Sequence, residues 1–162
     1  LKCDIKKFFA SIDHNLLRYI VTKYISDDNV NWLLKEIIES FNSRPGKGLP
    51  LGNLTSQLLV NIYMNEFDQF VKRELKAKHY IRYADDFVIL SHSKPYLLRN
   101  VRYIAHFLSD NLKLSLHPNK VFIKTISSGT DFLGWVHFPT HRVLRTTTKK
   151  RMIKNLENNQ SK

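Results

Sequence analysis

The sequence predicts an α+β fold in which an antiparallel sheet of the ferredoxin-like, split βαβ type is backed by helices. The first observation is the order of the predicted elements, which runs strand, helices, hairpin, helix, strand. The second is the hairpin at 79–90, where Tyr83-Ala84-Asp85-Asp86 lies between two apolar runs rich in aromatic and β-branched residues. A short strand ending near Asp4 and a strand at 121–126 complete the sheet.

Two amphipathic helices are predicted after the first strand. Ser11 and Asp13 are both candidate N-caps for the first, whose apolar residues recur at helical spacing over 16–24. The second begins in the cap region 26–28 and carries an apolar stripe from Val30 to Phe41.

A loop rich in glycine and proline, at 43–52, precedes the longest predicted helix, at 53–75. Free N–H groups and the positive dipole end of that helix would lie beside the glycines. Such a place is suited to a phosphate or a nucleotide.

The second half of the chain continues with a helix capped by Ser93, apolar along one face over 97–112. After the strand at 121–126, a further strand is predicted at 132–138. The composition then becomes basic, with helical content, over 141–162.

Charge is the first indication of function. The chain has 26 Lys and Arg against 14 Asp and Glu, a net charge of +12, which favours a polyanionic partner such as nucleic acid. The single cysteine excludes an internal disulfide and a cysteine-based zinc site and fits the cytoplasm. No apolar run approaches the ~20 residues that span a bilayer, so no membrane partner is expected. The chain opens inside a strand, and we expect an excerpt of a longer protein.

Paired Asp85 and Asp86 have two interpretations. They are ordinary turn residues, or they are ligands for a hard divalent cation. In the split βαβ topology the first strand lies beside the hairpin, so Asp4 would join them. Three carboxylates at one sheet edge repel one another unless cations lie between them. Two Mg²⁺ ions about 3.5–4 Å apart would remove this repulsion and suit in-line phosphoryl displacement.

Five segments, in order, resemble consecutive motifs of reverse transcriptases, and together they cover nearly the whole chain. They are Asp4-Ile5-Lys6-Lys7-Phe8-Phe9, the stretch from Gly48 to Gln57, Tyr83-Ala84-Asp85-Asp86, the stretch from Leu112 to Lys120, and Phe132-Leu133-Gly134. The set looks like the bacterial group that includes group II intron and diversity-generating retroelement enzymes. The resemblance implies a polymerase palm at 1–140, with finger-proximal helices at about 14–42. Fingers would be partial and the thumb largely absent, with 141–162 a basic connection to it or its start.

The resemblance also implies roles for individual residues. Asp4 and Asp85 match the principal metal ligands, with Asp86 assisting. Phe9 matches the position that excludes a ribose 2′-OH, and Lys120 the lysine that protonates the leaving pyrophosphate. The remaining assignments are Ile5 for the metals; Phe8, Leu51, Gly52, Asn53 and Gln57 for the nucleotide; and Tyr83, Phe132, Leu133, Gly134, Lys149, Lys150 and Arg151 for primer and template. Plain structural roles are the alternative for three of them: a core position for Phe8, a solvated turn for Lys120, and an ordinary strand for 132–134.

One motif departs from the wider family, which reads Gln-Gly-x-x-x-Ser-Pro where this chain reads Leu51-Gly52-Asn53-Leu54-Thr55-Ser56-Gln57. Leucine before the glycine and glutamine after the serine resemble the diversity-generating retroelement enzymes, which copy a template repeat with errors at adenines. The hypothesis is that losing a glutamine near the nascent pair loosens base selection.

These observations predict an RNA-directed DNA polymerase that transfers nucleotides from dNTPs to a primer 3′-OH by two-metal catalysis. Its cofactor would be Mg²⁺, with Mn²⁺ as a substitute, and its partners an RNA template, a DNA primer and an unidentified accessory protein. The alternatives are a non-catalytic nucleic-acid-binding palm and a primed polymerase acting on DNA templates. A chain with incomplete fingers and thumb could be inactive alone.

Overall fold

The computed structural model describes residues 1–160, which pack as two compact units. The first is Leu1–Phe122, and the second is the described chain from Ile123 onward. Each combines helices with an antiparallel sheet, so the predicted α+β class is confirmed.

The sheet of the first unit has the strand order β1-β3-β2, with both neighbouring pairs antiparallel. The strands are β1 (Lys2–Asp4), β2 (His79–Tyr83) and β3 (Asp86–Leu90). As the split βαβ order predicts, the first strand lies beside the hairpin.

The predicted strand at 121–126 was wrong as a regular strand. Only Phe122 pairs with β1, through two 2.8 Å backbone hydrogen bonds with Lys2, and a 3₁₀ turn begins at Ile126. Pairing along this edge of β1 is interrupted. A second bridge joins Ile5 to Leu116, and the turn at 117–120 separates the two bridges.

Five helices belong to the first unit: α1 (Phe8–Ser11), α2 (His14–Thr22), α3 (Asp28–Glu39), α4 (Leu54–Gln69) and α5 (Lys94–Leu112). Four of them begin at side chains that accept a hydrogen bond from the first turn: Asp13, Asp27, Asn53 and Ser93. Of the two candidate caps for the first amphipathic helix, Asp13 is the one used. The helix predicted to run to residue 75 ends at Gln69, where a π-helical turn, Phe70–Glu74, follows.

The core lies between one face of the sheet and the helices. Phe87 of β3 is fully buried and meets Phe67 of α4 edge-on, with 5.0 Å between ring centroids. On the opposite face Ile81 and Tyr83 are 55% and 62% exposed. We call this second face the open face, because it is open to solvent along β2, although Val88 of β3, which pairs with Ile81, is 6% exposed.

The apolar stripe predicted for α3 does not pack as a core. Ile38 is the only residue of α3 that is buried, while Val30 and Leu33 of the stripe are 41% and 52% exposed. The helix is amphipathic, but most of its apolar face is open to solvent.

The second unit consists of β4 (Thr130–Phe132), β5 (Trp135–His137), β6 (Arg142–Leu144) and α6 (Thr146–Gln160). Its strands follow one another in an antiparallel meander. The single strand predicted at 132–138 was wrong, because Leu133 and Gly134 both adopt positive φ, 52° and 82°. Two such residues form a tight hairpin turn. Within residues 1–160, no helix is long and apolar enough to cross a membrane.

Candidate active site

Three carboxylates meet where β1 ends and the β2–β3 hairpin turns. The antiparallel register places Asp4 directly opposite Asp86. Asp85 occupies the turn just before Asp86, and its carbonyl oxygen accepts a 3.2 Å hydrogen bond from the Ile5 N–H. The structure thus brings together Asp4, Ile5, Asp85 and Asp86, which lie far apart in the sequence.

The closeness of the three carboxylates affects the pKa of Asp85. Burial raises the pKa of its carboxyl, and the negative charges of Asp4 and Asp86 raise that pKa further. A divalent cation between these groups would lower the pKa of Asp85 and so oppose both effects.

Lys120 lies at the same edge, on the turn that follows Leu116. Its ammonium donates a 2.9 Å hydrogen bond to Asp4 Oδ2, while its side chain remains 52% exposed. That hydrogen bond raises the pKa of Lys120, and the charges of Asp4, Asp85 and Asp86 add to the effect. The structure therefore brings the predicted proton donor to the predicted metal ligands.

Asp86 faces a different cation, Lys2, which the sequence analysis missed. Lys2 Nζ lies 3.4 Å from Asp86 Oδ1, an ion-pair distance, yet this buried oxygen has no hydrogen-bond partner. The sequence did contain a sign of this contact. Side chains alternate between the faces of a strand, so Lys2 and Asp4 lie on the same face of β1.

A second missed residue is Arg82, one position before Tyr83. Its side chain points inward from β2, is 8% exposed and forms an ion pair with Asp68 of α4. An arginine at an inward position of a strand is a signal, because a buried charge requires a partner.

The glycine loop lies against the segment that carries Phe9. Leu49 N–H donates to the Phe9 carbonyl at 2.9 Å, and Gly48 N–H donates to the Ile12 carbonyl at 2.8 Å. Gly48 has a φ of 106°, and a Cβ there would collide with the Ser43 hydroxyl, so glycine is required.

The predicted nucleotide residues differ in their surroundings. Phe8 is 3% exposed and lies in the core, which agrees with its structural alternative, whereas Phe9 is half-buried and meets Phe8 edge-on. Asn53 caps α4 by accepting from Thr55 N–H. Leu51, Gly52 and Gln57 are exposed.

The remaining predicted contacts to primer and template fall in two places. Tyr83 lies on the open face of the sheet, beside Asp86 in the β2–β3 register. Phe132, Leu133 and Gly134 form the β4–β5 turn of the second unit, and Lys149, Lys150 and Arg151 are exposed on α6. Their roles stay predictions.

No group of three or more His, Cys, Asp or Glu side chains within residues 1–160 converges as a ready metal site. Lysines occupy part of the space, since Asp4 bonds Lys120 and Asp86 faces Lys2. The donor set nevertheless fits a hard divalent cation. Carboxylate oxygens are the preferred ligands, Asp86 Oδ1 is buried without a hydrogen bond, and the pKa of Asp85 is raised by burial and by the charges of Asp4 and Asp86.

An antiparallel sheet with three carboxylates at one edge is the arrangement expected of a nucleotidyltransferase palm. A family model described as "Reverse transcriptase (RNA-dependent DNA polymerase)" matches residues 1–137. The chain therefore belongs to the reverse transcriptase family, and the predicted resemblance is confirmed.

Three curated relatives show how far the similarity extends. Protein YkfC of Escherichia coli (strain K12) is 28% identical, over 90% of this chain and 47% of that protein. Group II intron-encoded protein LtrA of Lactococcus lactis subsp. cremoris is 26% identical, over 91% and 35%. Retron Ec73 reverse transcriptase of Escherichia coli is 30% identical, over 58% and 33%. The chain thus spans less than half the length of these relatives.

A solved structure supports the fold. Apo telomerase from Candida tropicalis, truncated from its C-terminal domain, superimposes with a TM-score of 0.63 over 89% of this chain and 35% of that chain. Sequence identity is 16%, so the likeness concerns the fold, and the predicted palm-like architecture is confirmed.

Proposed function

We propose that this chain is the palm of an RNA-directed DNA polymerase, which extends a DNA primer on an RNA template with dNTPs. The observation that carries the proposal is the register of β1 against β3, which sets Asp4 opposite Asp86 with Asp85 in the adjoining turn. Membership of the family supports the same activity. The palm would occupy residues 1–140, with 141–162 leading into a thumb.

Asp4 and Asp85 would hold two divalent ions, Mg²⁺ or Mn²⁺, with Asp86 and the Ile5 backbone at the edge of the site. When bound, such ions acidify the primer 3′-OH and stabilise charge on the departing pyrophosphate. Asp4 and Asp86 would exchange their lysine partners, Lys120 and Lys2, for the bound ions.

Lys120 would donate a proton to the leaving pyrophosphate. The pKa of Lys120 is not lowered, so its amine is protonated at neutral pH as that of an ordinary lysine is, and its exposed position leaves the ammonium free to turn from Asp4 to a phosphate. Phe9 would border the sugar of the incoming nucleotide, since its backbone is hydrogen-bonded to the glycine loop. A flat aromatic side chain there leaves no partner for a 2′-OH.

The proposal is tested with Asp85→Ala in the complete gene product. We expect at least a ~10³-fold loss of primer extension on RNA, because ligand loss removes several kcal/mol of transition-state stabilisation. Affinity for primer-template, measured by fluorescence anisotropy, should stay unchanged.

The matched control is Asp110→Ala, which removes an exposed carboxylate from α5 and should leave extension unchanged. Substantial Mg²⁺-dependent synthesis by the Asp85 variant would refute the assignment. If the wild-type protein binds primer-template but synthesises nothing, the non-catalytic palm is favoured. If it extends primers equally well on matched RNA and DNA templates, the DNA-templated alternative is favoured.

A further inference from the structure

The side chain of Arg82 is a buried charge that lies beside the site. The chemistry proposed above gives it no role. Arg82 precedes Tyr83 near the end of β2, and its side chain is 8% exposed. Ile81 and Tyr83, its neighbours in the strand, lie on the open face, so the guanidinium points into the layer between the sheet and α4.

The guanidinium connects α4 to the hairpin turn. Its Nε and Nη2 donate to the two carboxylate oxygens of Asp68, at 2.8 and 2.6 Å. Its Nη1 donates to the carbonyl oxygen of Ala84 at 3.1 Å and to Asn61 Oδ1 at 3.2 Å. Two fork-like bonds to one carboxylate fix the plane of the guanidinium, and this plane directs Nη1 toward Ala84.

The turn that receives this bond bears Asp85. Ala84 has a φ of 50°, a left-handed conformation that is unfavourable for a residue with a side chain. Its carbonyl is held by Arg82, and the next carbonyl, that of Asp85, is held by the Ile5 N–H. The turn is therefore fixed to α4 on one side and to the end of β1 on the other.

We propose that Arg82 is a positioning residue that, held by Asp68, fixes the Ala84 carbonyl and so orients the Asp85 carboxylate for a divalent cation. This inference rests on the proposed function. The role is geometric, because Asp68 already neutralises the guanidinium. The neighbouring charges that act on Asp85 are instead those of Asp4, Asp86 and Lys120.

Two variants of this connection separate geometry from charge. Arg82→Lys keeps the positive charge but loses the planar fork, so a single ammonium cannot bond Asp68 twice and also reach Ala84. Asp68→Asn keeps the shape of the supporting side chain and removes one of its two hydrogen bonds with Arg82. It is the second variant to measure if the Arg82 variant does not fold.

The matched control is Tyr80→Phe. The Tyr80 hydroxyl donates to Asp68 Oδ1 at 2.6 Å, and this oxygen also accepts from Arg82 Nε. Removing the hydroxyl therefore perturbs the partners of Asp68. It leaves the bond from Arg82 to Ala84 in place, and any effect through stability alone would appear in this variant too.

The measurement is Mn²⁺ binding to the complete gene product without substrates, followed by electron paramagnetic resonance of the free ion. We expect Arg82→Lys and Asp68→Asn to weaken Mn²⁺ binding by about tenfold, the usual effect of losing a residue that orients a ligand. In primer extension, kcat should fall by about tenfold with KM for dNTP within about twofold, while Tyr80→Phe stays near wild type in both assays.

The outcomes distinguish this inference from the proposed function. Wild-type Mn²⁺ affinity in folded Arg82→Lys or Asp68→Asn, or an equal loss in Tyr80→Phe, would overturn the positioning role alone, provided that Asp85→Ala binds Mn²⁺ poorly. If Asp85→Ala binds Mn²⁺ like the wild type, the metal site itself is wrong, and the role of Arg82 falls with it.

Discussion

Leu51 and Gln57 are the two residues on which the narrower likeness to diversity-generating retroelement enzymes rests. Leu51 is 78% exposed and Gln57 is also exposed. Neither side chain supports the core, so each is available for a nucleotide or a template, and substitution there should change chemistry without changing stability.

We predict that Leu51→Gln lowers misincorporation opposite template adenines. A restored side-chain hydrogen bond is worth about 1 kcal/mol, which corresponds to about a fivefold change in the error ratio. Sequencing of extension products on an adenine-containing RNA template measures it. Leu54→Gln, the same change at an 81% exposed position nearby, is the control. An unaltered error spectrum in the Leu51 variant would remove the basis for this subgroup.

At the residue scale, sequence reasoning identified the carboxylates and Lys120 but missed Lys2, which faces Asp86, and Arg82, which bonds the turn that bears Asp85. Asp85 and Asp86 were visible because two acidic residues in an apolar hairpin are unusual. Lys2 and Arg82 were not, because a lone basic residue in a strand is common and its partner is set by the fold. Asp68, which holds Arg82, lies on a different element.

At the element scale, Asp13 joins two helix ends. Its Oδ1 accepts from Leu16 N–H at the start of α2, and its Oδ2 accepts from Lys113 at the end of α5. Burial opposes ionisation of Asp13, but the Lys113 ammonium and the Leu16 N–H outweigh it, and the pKa of Asp13 is lowered.

We predict that Asp13→Ala reduces the free energy of unfolding by about 2 kcal/mol at pH 7, through loss of the cap and of the partly buried ion pair with Lys113. A carboxyl whose folded pKa is lowered stabilises the protein above its unfolded pKa of about 3.9. That contribution is lost as the pH falls through the lower folded value, so the difference between variant and wild type should narrow below about pH 3.9.

Urea unfolding followed by circular dichroism, from pH 7 downward, provides the measurement. Asp13→Asn is the control, because asparagine caps equally well and isolates the ion pair. A difference from wild type that is constant across the pH range would contradict the role of the ionised Asp13.

Element types were predictable where local chemistry decides them, as at the cap Ser93 of α5. The errors came where distant residues decide. The strand predicted at 121–126 is reduced to one bridge because the turn at 117–120 interrupts the pairing along that edge of β1. The apolar pattern over 132–138 predicted one strand. The structure has a hairpin there, because Gly134 can adopt the positive φ that the turn requires.

At the scale of the whole molecule, the net charge of +12 is unevenly used. Within the first unit, basic side chains pair with carboxylates of the site, as Lys120 does with Asp4. On α6, Lys149, Lys150 and Arg151 are exposed one after another. Exposed charge of this kind is available for phosphates.

We predict that replacing residues 149–151 with alanine reduces the salt dependence of primer-template binding. Each phosphate contact contributes about 0.9 to the slope of log K against log salt, so the slope should fall in magnitude by about 2–3. Alanine preserves helix propensity, so α6 should persist.

The control replaces Lys94, Arg99 and Arg102, three exposed basic residues of α5, and removes the same charge. Anisotropy titrations at several salt concentrations give both slopes. Equal reductions would mean that total charge, and not α6, attracts the nucleic acid.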